Sequence, residues 1–362
     1  MDMNASATVE RDAVGFIADV KTAVAAYFVD RDLSQNADLG MMIKTAIILA
    51  VTVGAYALLL TNAFGPWQML GLAAVIGVGI AGIGFSVAHD ALHGAYSASP
   101  RVNSLLGFTF DLCGANGYMW KITHNAIHHT HTNIHGLDED LTVSPLLRLS
   151  PHSEWKPIHR FQHLYAFFAY SLSTLFWVLA KDYKYFVQRD LGPYRNMTHK
   201  PGEWAAMIGS KALCYIWSIV VPLMVLDVTW WQFLIGWLTM HLVAGTILGV
   251  VFQLAHVVEE TDHHTERESG GSAEWMVRQM ETTSNFAREN QALNWFVGGL
   301  NFQIEHHLFP RICSVHYPAL SRIVRAAARD HGFAYNEHAT FRQAIGSHYR
   351  TLKQLGGRPV AA

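Results

Sequence analysis

Charge and cysteine are both scarce in this chain. Asp, Glu, Lys and Arg supply 15% of its 362 residues against 51% hydrophobic ones, and two long stretches carry almost none of them. A soluble domain spreads charge over its whole surface, so this distribution reads as a membrane protein. The three cysteines, Cys113, Cys214 and Cys313, lie far apart without a CxxC spacing, which excludes a disulfide framework and a zinc ribbon. A net charge of -2 with no long basic block argues against a nucleic-acid partner. The first 40 residues are polar and mixed in charge (Glu10, Arg11, Asp12, Asp19, Lys21), with no early apolar core, so no secretory signal peptide is read there. Neither a fixed-period repeat nor a low-complexity tract occurs.

What the chain does have is room for membrane spans. No Asp, Glu, Lys or Arg lies between Thr45 and His89, enough for two helices of about 20 residues, the length a bilayer core requires. Gly65 and Pro66 break this stretch into runs at about 44–61 and 68–88. A second pair follows at about 205–226, with Lys211 its one interior charge, and about 232–253, inside the uncharged run from Val228 to Val258. Both connecting loops lack Lys and Arg and carry Trp67, Trp230 and Trp231, residues suited to the interfacial belt. By the positive-inside rule the loop tips face away from the cytoplasm, and both termini lie inside.

The expected fold is therefore an all-α integral membrane protein of two helical hairpins with a cytoplasmic helical cap. Residues 1–40 form a cytoplasmic segment in which Val14, Phe16, Ile17, Val20, Val24 and Phe28 make an apolar stripe, an interfacial helix in this reading. Residues 41–310 form the membrane domain and 311–362 a helical cytoplasmic tail. The apolar segment 161–180 is read as interfacial, because a single crossing there would put the histidines on either side of it on opposite faces.

Histidine is abundant: 21, nearly as many as the 26 Lys and Arg together, and clustered. His89 and His93 are spaced i, i+4 where the second span ends, which places both imidazoles on one helical face. His124 and His128 repeat that spacing, with His129 adjacent. His306 and His307 form a third group, preceded by Gln303 and Glu305. Imidazole donors suit iron, copper, zinc or nickel, and the absence of thiolates argues against an iron–sulfur centre. One zinc needs about four ligands; seven histidines in three groups point to two metals.

At these boxes the chain resembles the integral-membrane fatty acid desaturases, whose pattern is HxxxH, an HxxHH-like box and (H/Q)xxHH. The likeness covers about 40–320 and includes HDALHGAYS, WKITHNAIHHTHTN, the acidic run Asp138-Glu139-Asp140 and NFQIEHHLFP. It implies two iron ions, dioxygen as co-substrate, and removal of two hydrogens from adjacent methylenes of a long acyl chain carried on CoA or a lipid. Carried over residue by residue, the ligands are His89, His93, His124, His128, His129, His306 and His307, with His256 in the family's position after the last span. Gln303 stands where many members have a ninth histidine, a replacement typical of front-end desaturases; its amide oxygen is a weaker donor to iron than imidazole. No HPGG-type haem-binding segment occurs in the first 40 residues, so the resemblance implies electrons from a ferredoxin or a separate b5-type cytochrome.

Carboxylates near the boxes, Asp90, Glu305, Asp138 and Asp140, are candidates to accept the second N–H of a ligand and fix its tautomer. Tyr118, Trp120, Trp295 and Phe296 suit either an acyl tunnel or ordinary core, and Lys121, Arg148, Lys156 and Arg160 either a substrate phosphate or lipid headgroups. Competing functions are a di-iron lipid hydroxylase on the same plan, a zinc membrane hydrolase, and a membrane metal transporter, which fits poorly because only His241 lies mid-span.

Overall fold

A computed structural model describes residues 3–141, 144–265 and 275–359, with side chains from Ala13 onward. The chain is largely helical. Helix α1 spans Met3–Val29. Among the described residues four helices are long and apolar enough to cross a membrane: α2 (Leu39–Leu60), α3 (Pro66–Leu92), α4 (Pro201–Val225) and α5 (Trp230–His256). The four spans read from sequence are all present, each starting two to five residues earlier than expected. The shorter helices α6 (Gln303–Leu308), α7 (Tyr317–Asp330) and α8 (Phe341–Leu355) complete the set that matters for the site. The protein is a multi-pass membrane protein.

Contacts divide the chain into two interleaved compact units, residues 39–124 with 165–251, and residues 1–38 with 125–164 and 252–362. In the first, α3 is packed closely because it is rich in glycine. A Cβ at Gly79 would stand 2.0 Å from Thr52 Oγ1 of α2, and one at Gly77 would stand 2.4 Å from the Met240 carbonyl oxygen of α5. Without a hydrophobic force between helices in lipid, such close backbone approach is what holds spans together. The segment read as interfacial is a helix pair, Pro157–Ser171 and Ser173–Val187, bent by 58°. Its bend lies against α5, where a Cβ at Gly245 would sit 2.2 Å from the Ser171 carbonyl oxygen. Lys211, the one charge inside α4, is buried and places its ammonium 2.7 Å from Asp182 Oδ2, 2.6 Å from the Gly114 oxygen and 3.0 Å from the Trp177 oxygen. All three of its donors are thereby satisfied.

In the second unit the apolar stripe of α1 faces protein, apart from Val14, which is exposed. Phe16, Val20, Val24 and Phe28 are buried among Phe302, Ile304, Leu320 and Val324. Each such side chain contributes roughly 1.5–3 kcal/mol on burial, so α1 is a packing element of this unit. Two short parallel pairs, Ile134–His135 with His264–Thr265 and Asn285–Phe286 with Glu337–His338, tie distant loops together. Helix α8 is anchored by Gln162, which donates to the Leu352 oxygen, and by Trp155, which donates to the Gly356 oxygen. Arg148 is buried here and donates to the Leu355 and Ser153 oxygens, so it is a structural cation and not a reader of phosphate.

Candidate metal centre

Three histidines converge in the first unit. His89 and His93 follow a π-helical turn, Gly84–Ala88, at the end of α3. Such a turn inserts an extra residue and re-aims the side chains after it. Their ring centroids are 4.7 Å apart, and His124 stands 5.6 Å from His89 and 5.4 Å from His93. One ring nitrogen of each lies within 4.8 Å of the others. The indole of Trp120 stacks on His124 at 4.3 Å and meets His89 and His93 edge-on, so Trp120 belongs to the wall of this site. Asp90 is buried with a carboxylate oxygen 3.5 Å from His89 Nδ1.

The second unit holds two overlapping triplets, His128 with His256 and His307, and His129 with His306 and His307, all buried and each with ligand atoms within 4.8 Å. His128, His256, His306 and His307 each have an Nδ1 partner that orients the ring. His128 Nδ1 donates to Asp138 Oδ2 at 3.0 Å, with Asp140 Oδ2 at 3.8 Å. His256 Nδ1 donates to the Thr282 carbonyl oxygen at 3.3 Å, and its buried Nε2 has no hydrogen-bond partner among the described residues. His307 Nδ1 donates to Gln279 Oε1 at 2.8 Å, and the Tyr317 hydroxyl lies 3.2 Å from His306 Nδ1. With Nδ1 so engaged, Nε2 is the nitrogen placed to ligate a metal, the arrangement that orients metal-binding histidines and raises their basicity.

The acidic candidates divide by what they touch. Asp138 also accepts from the Asn133 and Asp140 backbone N–H groups, both at 3.0 Å. Burial alone would raise its pKa, but His128 and these hydrogen bonds outweigh burial and hold the carboxyl below its ordinary value. Among the described residues Glu305 bonds no imidazole. It accepts from Asn285 Nδ2 at 2.8 Å and the Tyr335 hydroxyl at 2.9 Å. Burial pushes it up to about 7 against the pull of those two donors. Gln303 is buried at the first position of α6, one turn from His306 and His307. His131, His135, His263 and His264 enter none of these groups among the described residues.

Sequence reasoning missed Gln279, Thr132, Thr282, Tyr317, Asn285 and Tyr335. Thr132 alone had a signal, standing i+4 from His128; its hydroxyl lies 2.7 Å from the His128 oxygen and 2.8 Å from Gln279 Oε1. Both groups are thus built of imidazoles, and in the second the rings are oriented by Asp138, the Thr282 carbonyl, Gln279 and Tyr317. Such a donor set fits first-row transition metals and leaves room for more than one ion.

Residues 65–339, a segment containing every box and its supporting residues, match the fatty acid desaturase family. The chain belongs to the fatty acid desaturase family. It is 37% identical to the sn-1 linoleoyl-lipid 6-desaturase of Synechocystis sp. over 94% of this chain and 96% of that protein. It is 34% identical to the protein of the same name from Arthrospira platensis, over 96% of this chain and 94% of the relative. The acyl-lipid (8-3)-desaturase of Physcomitrium patens is 29% identical over 94% of this chain, which spans 72% of that longer protein. As a desaturase the chain is an oxidoreductase, and its histidine groups are compatible with the family's di-iron centre.

Proposed function

We propose that this desaturase is a front-end enzyme that inserts a cis double bond into an acyl chain of a membrane lipid, between an existing double bond and the carboxyl end. The observation that carries this reading is the conjunction of buried histidine triplets from all three boxes with relatives named as 6- and (8-3)-desaturases of acyl lipids. Those names favour a lipid-linked chain over acyl-CoA. Gln303 at the head of α6 accords with the front-end reading.

The balance of the reaction defines what the protein must provide. Two hydrogens leave adjacent methylenes and dioxygen becomes two waters, which consumes two electrons and two protons from outside. Two irons, when bound, supply the oxidising power that no side chain possesses. His89, His93 and His124 would hold one, with His128, His129, His256, His306 and His307 serving the other and completing the pair, and Gln303 is a weak further donor. Asp138, Thr282, Gln279 and Tyr317 keep the ligand rings in one tautomer and one orientation. Burial of the ligands keeps bulk water from the reacting carbons. In this reading the spans form two hairpins whose Lys- and Arg-free tips face away from the cytoplasm, with both termini, the helical cap and the active site on the cytoplasmic side. A ferredoxin or a b5-type cytochrome supplies the electrons.

Metal analysis and product mass test the proposal together. We expect two irons per purified chain and a product two hydrogens lighter than its precursor. Zinc in place of iron, or a product heavier by one oxygen, would overturn it, the latter in favour of the hydroxylase.

A further inference from the structure

The tail has a feature that neither metal binding nor packing uses. Helix α7 is sharply two-sided: Tyr317, Leu320, Val324 and Ala328 are buried in the core of their unit, while Arg322, Arg325 and Arg329 are exposed at i, i+3 and i+7. With Arg288, Phe333 and Tyr335 these arginines line an open cavity of about 780 Å³. Three acids stand against the four arginines, which leaves the face with a net positive charge of one. Glu337 bridges Arg288 at 2.6 Å and Arg325 at 2.7 Å, Asp330 pairs with its neighbour Arg329 at 3.0 Å, and Glu289 lies on the rim. Exposed pairs such as the last contribute little. Arg322 has no ion-pair partner among the described residues, and the Arg325 and Arg329 side chains are 56% and 78% exposed.

This surface is joined to the histidine-bearing helix by a cation–π contact and hydrogen bonds. The Arg288 guanidinium lies over the Tyr335 ring at 5.7 Å, and the Tyr335 hydroxyl donates to Glu305, the residue before His306. From the other side α7 begins at Tyr317, whose hydroxyl lies 3.2 Å from His306 Nδ1. One buried layer therefore separates the arginines from a ligand-bearing helix. A bilayer surface is a poor occupant, because no large apolar side chain is strongly exposed between Pro318 and His348 to enter it. An arginine rim around a small aromatic centre instead suits a transient contact with an acidic protein.

We propose that the face formed by Arg288, Arg322, Arg325 and Arg329 is the docking surface for a small acidic one-electron carrier protein. The inference rests on the desaturase reading for what the carrier does. Each docking oxidises the carrier by one electron, which passes inward past Tyr335 and Glu305 toward the centre held by His306, and two dockings supply the two electrons of one turnover.

Binding tests this apart from activity. The full chain in zwitterionic nanodiscs is titrated with a plant-type [2Fe–2S] ferredoxin and, in parallel, with the soluble haem domain of a cytochrome b5. We expect binding of at least one carrier that weakens as salt rises from about 20 to about 200 mM. R322E/R329E should weaken it about tenfold or more, and R342E, on another face, by less than about twofold. Iron content and melting temperature report that the variants fold, and the neutral R322Q/R325Q/R329Q replaces the reversal where it does not. Binding of neither carrier, unchanged binding by the arginine variants, or displacement of the carrier by coenzyme A overturns the proposal. Iron and new double bonds with arginine-independent binding would remove the docking surface alone. Arginine-dependent binding without iron or double bonds would remove the desaturase reading and leave the surface standing.

Discussion

The buried pair Lys211–Asp182 offers a quantitative test of the fold that carries the first histidine group. Lys211 sits inside a span, where an unneutralised ammonium is costly, and it is tolerated because Asp182 and the Gly114 and Trp177 oxygens take its three protons at 2.6–3.0 Å. Lys211→Met keeps most of the side-chain volume and removes the charge. Asp182, with its side chain 1% exposed, then loses its cation, and two carbonyls lose a donor. Breaking one side of a buried pair costs about 3–5 kcal/mol, mostly for the charge left behind. Removing the partner as well, in K211M/D182N, relieves that charge and should recover most of the loss, leaving about 1–2 kcal/mol for the missing hydrogen bonds. Thermal denaturation in detergent, followed by tryptophan fluorescence, reads both variants. A Lys211→Met loss below about 1 kcal/mol, or a double variant no better than the single, would refute the reasoning.

Three further outcomes follow from particular contacts. Gln279→Leu removes the acceptor that holds His307 Nδ1, and iron affinity measured by chelator competition should fall about 10- to 100-fold, with Gln279→Glu retaining much of it. Gly79→Val should disrupt the α2–α3 contact, because its Cβ alone would overlap Thr52, and should appear as loss of folded protein in size-exclusion chromatography; equal yield would contradict the close approach. His348 is buried and donates Nδ1–H to the Val257 oxygen at 2.6 Å, and burial lowers its pKa from 6.5 to about 4. The unfolded chain therefore binds a proton that the native one refuses between those values. Stability should be intact above about pH 6.5 and decline by up to about 3 kcal/mol as pH falls to about 4. In His348→Gln this part of the acid sensitivity should disappear from melting curves taken across that range.

The parts of this protein that obey a period were legible in sequence. Charge-poor runs identified the four spans to within a few residues because bilayer thickness leaves little choice of length, and the i, i+4 spacing placed His89 with His93 because the helical period puts such positions on one face. Contacts between segments far apart in sequence were not legible. Gln279 reaches His307 across 28 residues, and Tyr335 reaches Glu305 across 30, with no spacing rule to link them. Glu305 looked like a partner for a ligand N–H because it adjoins His306, but adjacent helical positions point apart, and its carboxylate turns to Asn285 and Tyr335. The stripe on α1 was read correctly as a periodic apolar face, yet periodicity does not say whether lipid or protein covers it; here Leu320 and Val324 do. Likewise the apolar run at 161–180 was read as interfacial, and its sequence did not announce the bend at which it meets α5.

The central claim is most directly tested by locating new double bonds in the lipids of a host that expresses this chain, beside a host expressing His307→Ala. The account predicts that the wild type adds a cis double bond between an existing one and the carboxyl end, and that the variant, inserted in the membrane at a similar level, adds none. A new double bond on the methyl side of the existing one would contradict the front-end assignment. Double-bond formation by His307→Ala at the wild-type level would contradict the metal site itself.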